Sequence, residues 1–388
     1  MGCNCEVKKR LSQMAQDFEG NPVYLDYNAT TPTDPRLLRD LDRVVRRQWG
    51  NPSSLHIMGG EAFLWEERTR RIGAKVYGKK EEEFQFCSSG CEGISGLLSG
   101  TDAVHRTLIT SAGEHSVLLQ SARYQFSRNH TILPINREGK IDEGELEKAL
   151  IQAGRSCLFY SPVNHESGAR QDCVRLFQLA RRHDCLVFID AVQAAYRLNP
   201  REWAPYCHGF VLSGHKFHVP KGIGLVWLDP EVKVTPFRWG GSEEGALFPG
   251  TANIPGIALL GRGLELLEQE REAQDKLMSR LTKEAEEILG RCKIPYVRET
   301  PSDGVPGILC LSLEKLHDWE NFFLHLGKRR ICVSRFSACT GKVEGESAVL
   351  KAMGVPSGRA SHSLRVSFGR FSKRQDFFAL KEAIDSYV

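Results

Sequence analysis

No apolar run in this chain approaches the roughly 18 residues that a membrane span requires. The opening residues, Met1-Gly-Cys-Asn-Cys-Glu, lack the apolar centre of a signal peptide, so a cytoplasmic protein is expected. Gly2 begins a partial myristoylation motif, but Glu6 stands where serine or threonine is needed. Excess charge is also scarce: 52 basic and 48 acidic residues leave +4, and no basic run is interleaved with aromatics. Nucleic acid is therefore not an expected partner. The 12 cysteines form no disulfide or zinc framework. Only Cys3 and Cys5 are close, and no nearby His or Cys completes a site, so no metal is expected. Cys157, Cys173, Cys185, Cys310 and Cys332 lie in or beside apolar runs and read as small buried hydrophobes.

What is present is the composition of a soluble globular protein, 41% hydrophobic and 26% charged. At 388 residues the chain exceeds one ordinary core, and two domains are expected. Phe84–Cys87, Thr107–Thr110, Thr131–Pro134, Cys157–Tyr160 and Leu186–Ile189 read as strands. Between them, Glu61–Tyr77, Val117–Ser127, Glu143–Gln152 and Val174–Arg182 have helical periodicity. Such alternation predicts an α/β fold, a mostly parallel sheet covered on both faces, with ligands beyond the C-terminal strand ends. From Ile254 to Cys292 the pattern is almost wholly helical, and the remainder reads as a smaller α+β domain. The expected division is 23–255 for the large domain and 1–22 with 256–388 for the small one.

Two strand ends carry the chemistry. The run Leu186-Val-Phe-Ile delivers Asp190 and, three residues on, Gln193. The run Gly209-Phe-Val-Leu delivers Ser213, His215 and Lys216. Alone, each would be an ordinary buried acid or exposed lysine. An acid and a lysine aimed at one pocket suit pyridoxal phosphate: the lysine bonds the aldehyde carbon, and the acid keeps the ring nitrogen protonated.

With these residues the chain resembles the cysteine desulfurase and selenocysteine lyase branch of the class V aminotransferases. The resemblance runs from Val23-Tyr-Leu-Asp-Tyr-Asn-Ala-Thr-Thr-Pro32 to Leu364-Arg-Val-Ser-Phe-Gly-Arg-Phe371. Between lie Gly50-Asn-Pro-Ser-Ser54, Glu114-His115, Ser213-Gly-His-Lys216, Pro249-Gly-Thr251 and Ser337-Ala-Cys339-Thr340. It implies the fold-type I pyridoxal phosphate architecture, with a mostly parallel, seven-stranded large-domain sheet and a smaller C-terminal α+β domain.

The resemblance also implies roles. Lys216 would carry the cofactor and move the substrate α-proton, and His115 would stack on the ring. Gln193 would contact the phenolic oxygen, Ser213 and His215 the phosphate, and Thr251 the phosphate of a second subunit in a homodimer. Arg365 would grip the substrate carboxylate through its planar fork. Asn28 and Asn51 match substrate-pocket loops, although loop asparagines are commonly turn formers. Cys339 lies in a polar stretch, 334–345, where a thiolate is available for chemistry. In the relatives it takes the substrate sulfur and becomes a persulfide.

Two positions depart from the family pattern. Ser89-Gly90-Cys91-Glu92-Gly93 replaces a stretch in which a threonine at a helix start holds the phosphate. Backbone N–H groups of Gly90, Cys91 and Glu92 can still cradle an anion, provided the Glu92 carboxylate turns away. His165 stands where relatives place asparagine beneath the phenolic oxygen. The reading that results is a homodimeric pyridoxal phosphate enzyme converting L-cysteine to L-alanine and a Cys339 persulfide for an acceptor protein. Selenocysteine lyase is the nearest alternative. An aminotransferase or C–S lyase would not need Cys339, and a weakly active scaffold would be favoured only by the altered phosphate loop.

Overall fold

The computed structural model describes residues 8–13, 21–235, 237–240, 247–313, 316, 318–335 and 345–387. Strands are numbered β1 Val23–Tyr24, β2 Phe84–Cys87, β3 Thr107–Ser111, β4 His130–Leu133, β5 Ser156–Tyr160 and β6 Cys185–Asp190. The series continues with β7 Gly209–Ser213, β8 Gly224–Leu228, β9 Val297–Arg298, β10 Ile308–Ser312, β11 Ile331–Cys332 and β12 Ser363–Ser367.

Seven strands form one sheet in the order β2-β8-β7-β6-β5-β3-β4. β8 runs antiparallel to both its neighbours, and all the other pairings are parallel. β5 and β7 are buried along their whole length, as central strands between two helical layers must be. The strand period of two divides their side chains between two cores. Leu158, Tyr160, Val187, Ile189, Phe210 and Leu212 enter one; Cys157, Phe159, Phe188 and Val211 enter the other. Every parallel strand therefore presents its C-terminal end to one edge of the sheet, and the candidate residues follow those ends.

A second, antiparallel sheet, β12-β10-β9, and a parallel pair, β1-β11, belong to the smaller part of the molecule. The long helical region is two helices, Ile254–Gln269 and Arg271–Leu289, that meet at Glu270. Ile254, Ile257, Leu260 and Leu264 of the first pack into the larger core. Met278, Leu281, Ala285 and Ile288 of the second pack with β10 and β12. Along these two helices the packing passes from one core to the other at Glu270, and Leu25 beside β1 sides with the smaller core. The helix expected over Val117–Ser127 is a short α-helix, Ser116–Gln120, continued by a π-helical turn, Ser121–Gln125.

Candidate active site

Lys216 ends a 3₁₀ turn directly after β7. Its ammonium donates to the main-chain oxygens of Asn28 (2.6 Å) and Ala29 (3.1 Å). Gln193, after β6, donates to the same Asn28 oxygen at 3.1 Å. Asp190 closes β6 and is 7% exposed, its Oδ1 accepting the Val192 N–H at 3.0 Å. Burial raises its pKa, against the pull of His115, Lys216 and local hydrogen bonds. These side chains line one cavity of about 180 Å³, together with Asn28, His115, His165, Ser213, His215 and Arg365.

His115 caps the helix Ser116–Gln120, its Nδ1 accepting the Val117 N–H at 3.3 Å. That bond assigns the ring proton to Nε2. The His165 ring stands edge-on to it, 5.4 Å between centroids. Burial, with His115, Arg365 and Lys216 around it, holds the His165 pKa well below its ordinary value, so it is neutral at pH 7. Beneath the cavity Glu114, 5% exposed, accepts from the Ser111 hydroxyl (2.7 Å) and from the Ser161 hydroxyl (2.6 Å) and N–H (3.0 Å). Burial pushes its pKa up to about 7.

At one end of the cavity the helix Gly90–Ser99 begins, with Ser89 as its N-cap and Gly90 and Cys91 on the cavity wall. Gly90 must be glycine, since a Cβ there would stand 2.9 Å from Val192. Ser213 (2% exposed) and His215 face the same end. Burial, then Lys216 and Lys221, lowers the His215 pKa to about 4. Glu92 lies off the cavity. Its carboxylate accepts the Ser88 N–H at 2.6 Å and pairs with Arg238. Burial alone would raise its pKa, but these partners outweigh it and the value is lowered. The expected inward danger of that charge is thereby removed by the Ser88 N–H and Arg238 together. Glu92→Thr should change cofactor affinity less than threefold and cost roughly 1 kcal/mol of stability, as loss of an N-terminal helix partner does. Equilibrium titration and thermal melting check this; a tenfold loss of affinity would return Glu92 to the site.

Arg365, on β12, also lines the cavity and is 2% exposed. It donates from Nη1 to the His165 carbonyl (2.9 Å) and from Nη2 to Asp26 Oδ1 (2.9 Å), while its Nε has no acceptor. Asn28 donates from Nδ2 to the same His165 carbonyl at 2.9 Å.

Asn51 and Thr251 are exposed and outside this cavity, Asn51 accepting the Ser53 N–H at 2.9 Å as a turn former does. Cys339 lies outside the described residues. Its described flanks are tied to the site: Ser334 donates to Asp26 Oδ2 (2.8 Å) and Ser347 to Glu166 Oε2 (2.6 Å). Sequence reasoning missed Asp26, Ser161 and Arg197. Ser161 carried a usable signal, since it follows the apolar run of β5 as Asp190 follows that of β6.

The donor set fits pyridoxal phosphate. An anion cradle at the helix start, a buried carboxylate for a protonated ring nitrogen and a lysine line one cavity, and the orphaned Nε of Arg365 awaits an acceptor.

The family model described as aminotransferase class-V matches residues 23–380. The cysteine desulfurase IscS of Dictyoglomus turgidum is 30% identical over 364 residues, covering 91% of each chain. The cysteine desulfurase of Homo sapiens is 30% identical over 92% of this chain and 79% of its own. Among solved structures, a NifS-like protein superposes with a TM-score of 0.86 at 28% identity, covering 94% of this chain and 99% of its own. A NifS-like protein from Rickettsia africae gives 0.84 at 25% identity, with the same coverages.

Proposed function

The chain belongs to the class-V aminotransferase family, and from that premise we propose that it is a pyridoxal 5′-phosphate-dependent cysteine desulfurase. The observation that carries this reading is the single cavity shared by Lys216, Asp190 and Arg365, in a chain about 30% identical to enzymes named cysteine desulfurase.

The helix start at Gly90 and Cys91, with Ser213 and His215, would hold the phosphate, and Asp190 the ring nitrogen. Gln193 and His165 would meet the phenolic oxygen, with His115 against the ring. Bound there, pyridoxal phosphate supplies an electron sink that makes the substrate α-proton removable. The remaining work falls to the chain. Arg365 has one donor open, Nε, and binds the α-carboxylate. Lys216 takes the α-proton and later returns one, its amine held over the cavity by Asn28 and Ala29. His165, kept neutral by burial, adds no positive charge beside the lysine. The Cys339 thiolate attacks the substrate sulfur, so that L-cysteine and a thiol become L-alanine and a Cys339 persulfide. An acceptor protein or a reductant then removes the outer sulfur.

Incubation with L-cysteine should release alanine and sulfide in equal amounts when a thiol reductant is present. Without reductant, alanine should stop after about one turnover per site as the persulfide accumulates. Pyruvate and ammonia in place of alanine would instead indicate a C–S lyase. L-Selenocysteine in the same assay decides the preference between the two substrates.

The active form we propose is a homodimer. Leu38, Trp49, Leu55, Ile57, Phe63 and Leu64 are large apolar side chains left exposed along one stretch of chain, surface that a partner subunit would cover. Thr251, exposed and outside its own cavity, would reach the partner's phosphate. Sedimentation equilibrium should give twice the chain mass; a monomer at micromolar concentration would remove the Thr251 role.

A further inference from the structure

Arg197 ends the short helix Ala194–Arg197 and is 9% exposed. Its Nη2 donates to Asn28 Oδ1 at 2.5 Å and its Nη1 to the Pro306 carbonyl at 3.0 Å, while Nε has no acceptor. Both partners are neutral oxygens. Among the described residues Arg197 makes no ion pair: its guanidinium stands 5.8 Å from the centroid of the neutral Tyr196 ring, and the charge that acts on it is that of Arg365 rather than a carboxylate. The backbone is shaped around it: Gly307 has φ +88°, and a Cβ there would lie 2.5 Å from Nη1. A buried cation held by two neutral oxygens and an aromatic ring, with no carboxylate, is costly.

Asn28 joins this cation to the carboxylate end of the cavity. Its Oδ1 takes Arg197, and its Nδ2 shares the His165 carbonyl with Arg365 Nη1. Arg365 meanwhile is paired with Asp26 at 2.9 Å. Asp26 thus neutralises Arg365, and Arg197, joined to the same Asn28, keeps its charge.

We propose that Arg197 is a positioning residue for the substrate carboxylate: it supplies the net positive charge that Asp26 cancels at Arg365, and it fixes the Asn28 amide that lines the cavity. This rests on the cysteine reading above. A substrate with a carboxylate should feel the loss of that charge, whereas one without it should not. The same Asn28 contributes its carbonyl to Lys216, so a merely structural role would disturb every amine substrate alike.

The experiment compares L-cysteine with cysteamine, which lacks the carboxylate, on holoenzyme carrying Arg197→Met or Arg197→Lys. Binding is followed by the absorbance change on mixing, and turnover of cysteine by alanine release. Arg197→Met should weaken cysteine roughly tenfold, the order of effect of one nearby buried charge, with kcat within threefold and cysteamine binding within twofold. Arg197→Lys should recover cysteine affinity to within threefold. Equal weakening of both ligands in Arg197→Met, or an unchanged KM for cysteine, overturns the proposal. If Arg197→Met does not fold, the lysine variant decides: a tenfold loss of cysteine affinity with the charge retained overturns it, and retention within threefold with cysteamine unchanged supports it. Wild-type protein that neither binds nor converts cysteine fails the functional reading instead, a result these variants cannot mimic.

Discussion

Lys216→Ala should lower alanine release from cysteine by about 10³-fold or more, the scale on which a positioned proton-transfer group and covalent attachment act together. Lys216 is the one lysine on the cavity wall among the described residues. Its Nζ is held by two main-chain oxygens, of Asn28 and Ala29, so its position is set by backbone. No neighbour takes over the task. His115 uses Nδ1 to cap its helix, and burial holds the His165 pKa well below its ordinary value, which makes it a poor proton acceptor. The fold should survive, because the lysine is only half-buried and the strand beneath it, β7, is buried along its length without it. Two measurements separate the outcomes: borohydride treatment should fix cofactor to the wild type and not to the variant, and alanine release should collapse. Turnover near the wild-type rate would remove the central assignment.

What the sequence made legible follows from strand physics. The middles of β5, β6 and β7 are apolar because both faces are covered, and a polar residue that ends or follows such a run must lie at the sheet edge, where ligands bind. Asp190, Ser213 and Lys216 were found that way. Arg197 and Asp26 were not, because buried charges have no signature in a sequence that also carries many exposed ones. Arg197 is recognisable only when its partners are seen to be neutral oxygens. Glu92 shows the converse case. Its charge was legible as a problem for a phosphate, but the solution depends on Arg238, 146 positions away in the chain. The break at Glu270 was hidden as well, since both helices around it share the same amphipathic period and differ only in which core they enter.

Cys339→Ser should still bind cofactor and cysteine but form no persulfide, with alanine release falling at least as far as in the lysine variant. Thiolate is the attacking species, and an alcohol at neutral pH offers neither the anion nor a sulfur to receive sulfur. Access follows from chain length. Ser334 is registered to Arg365 by paired main-chain bonds of 2.7 and 3.2 Å, and its hydroxyl holds Asp26. Cys339 is five positions further on, a span of up to about 17 Å when extended, which brings the cavity within reach. The early absorbance change on adding cysteine should therefore persist in the variant, since in the proposed mechanism carboxylate binding at Arg365 and proton transfer at Lys216 precede the thiol's attack. One rival thiol is on the wall of the same cavity: Cys91, at the helix start assigned to the phosphate. A phosphate held there would shield it, so it should carry no substrate sulfur. Mass spectrometry after a single turnover decides between them, and a persulfide on Cys91 with turnover intact in Cys339→Ser would move the sulfur acceptor from the loop to the helix start.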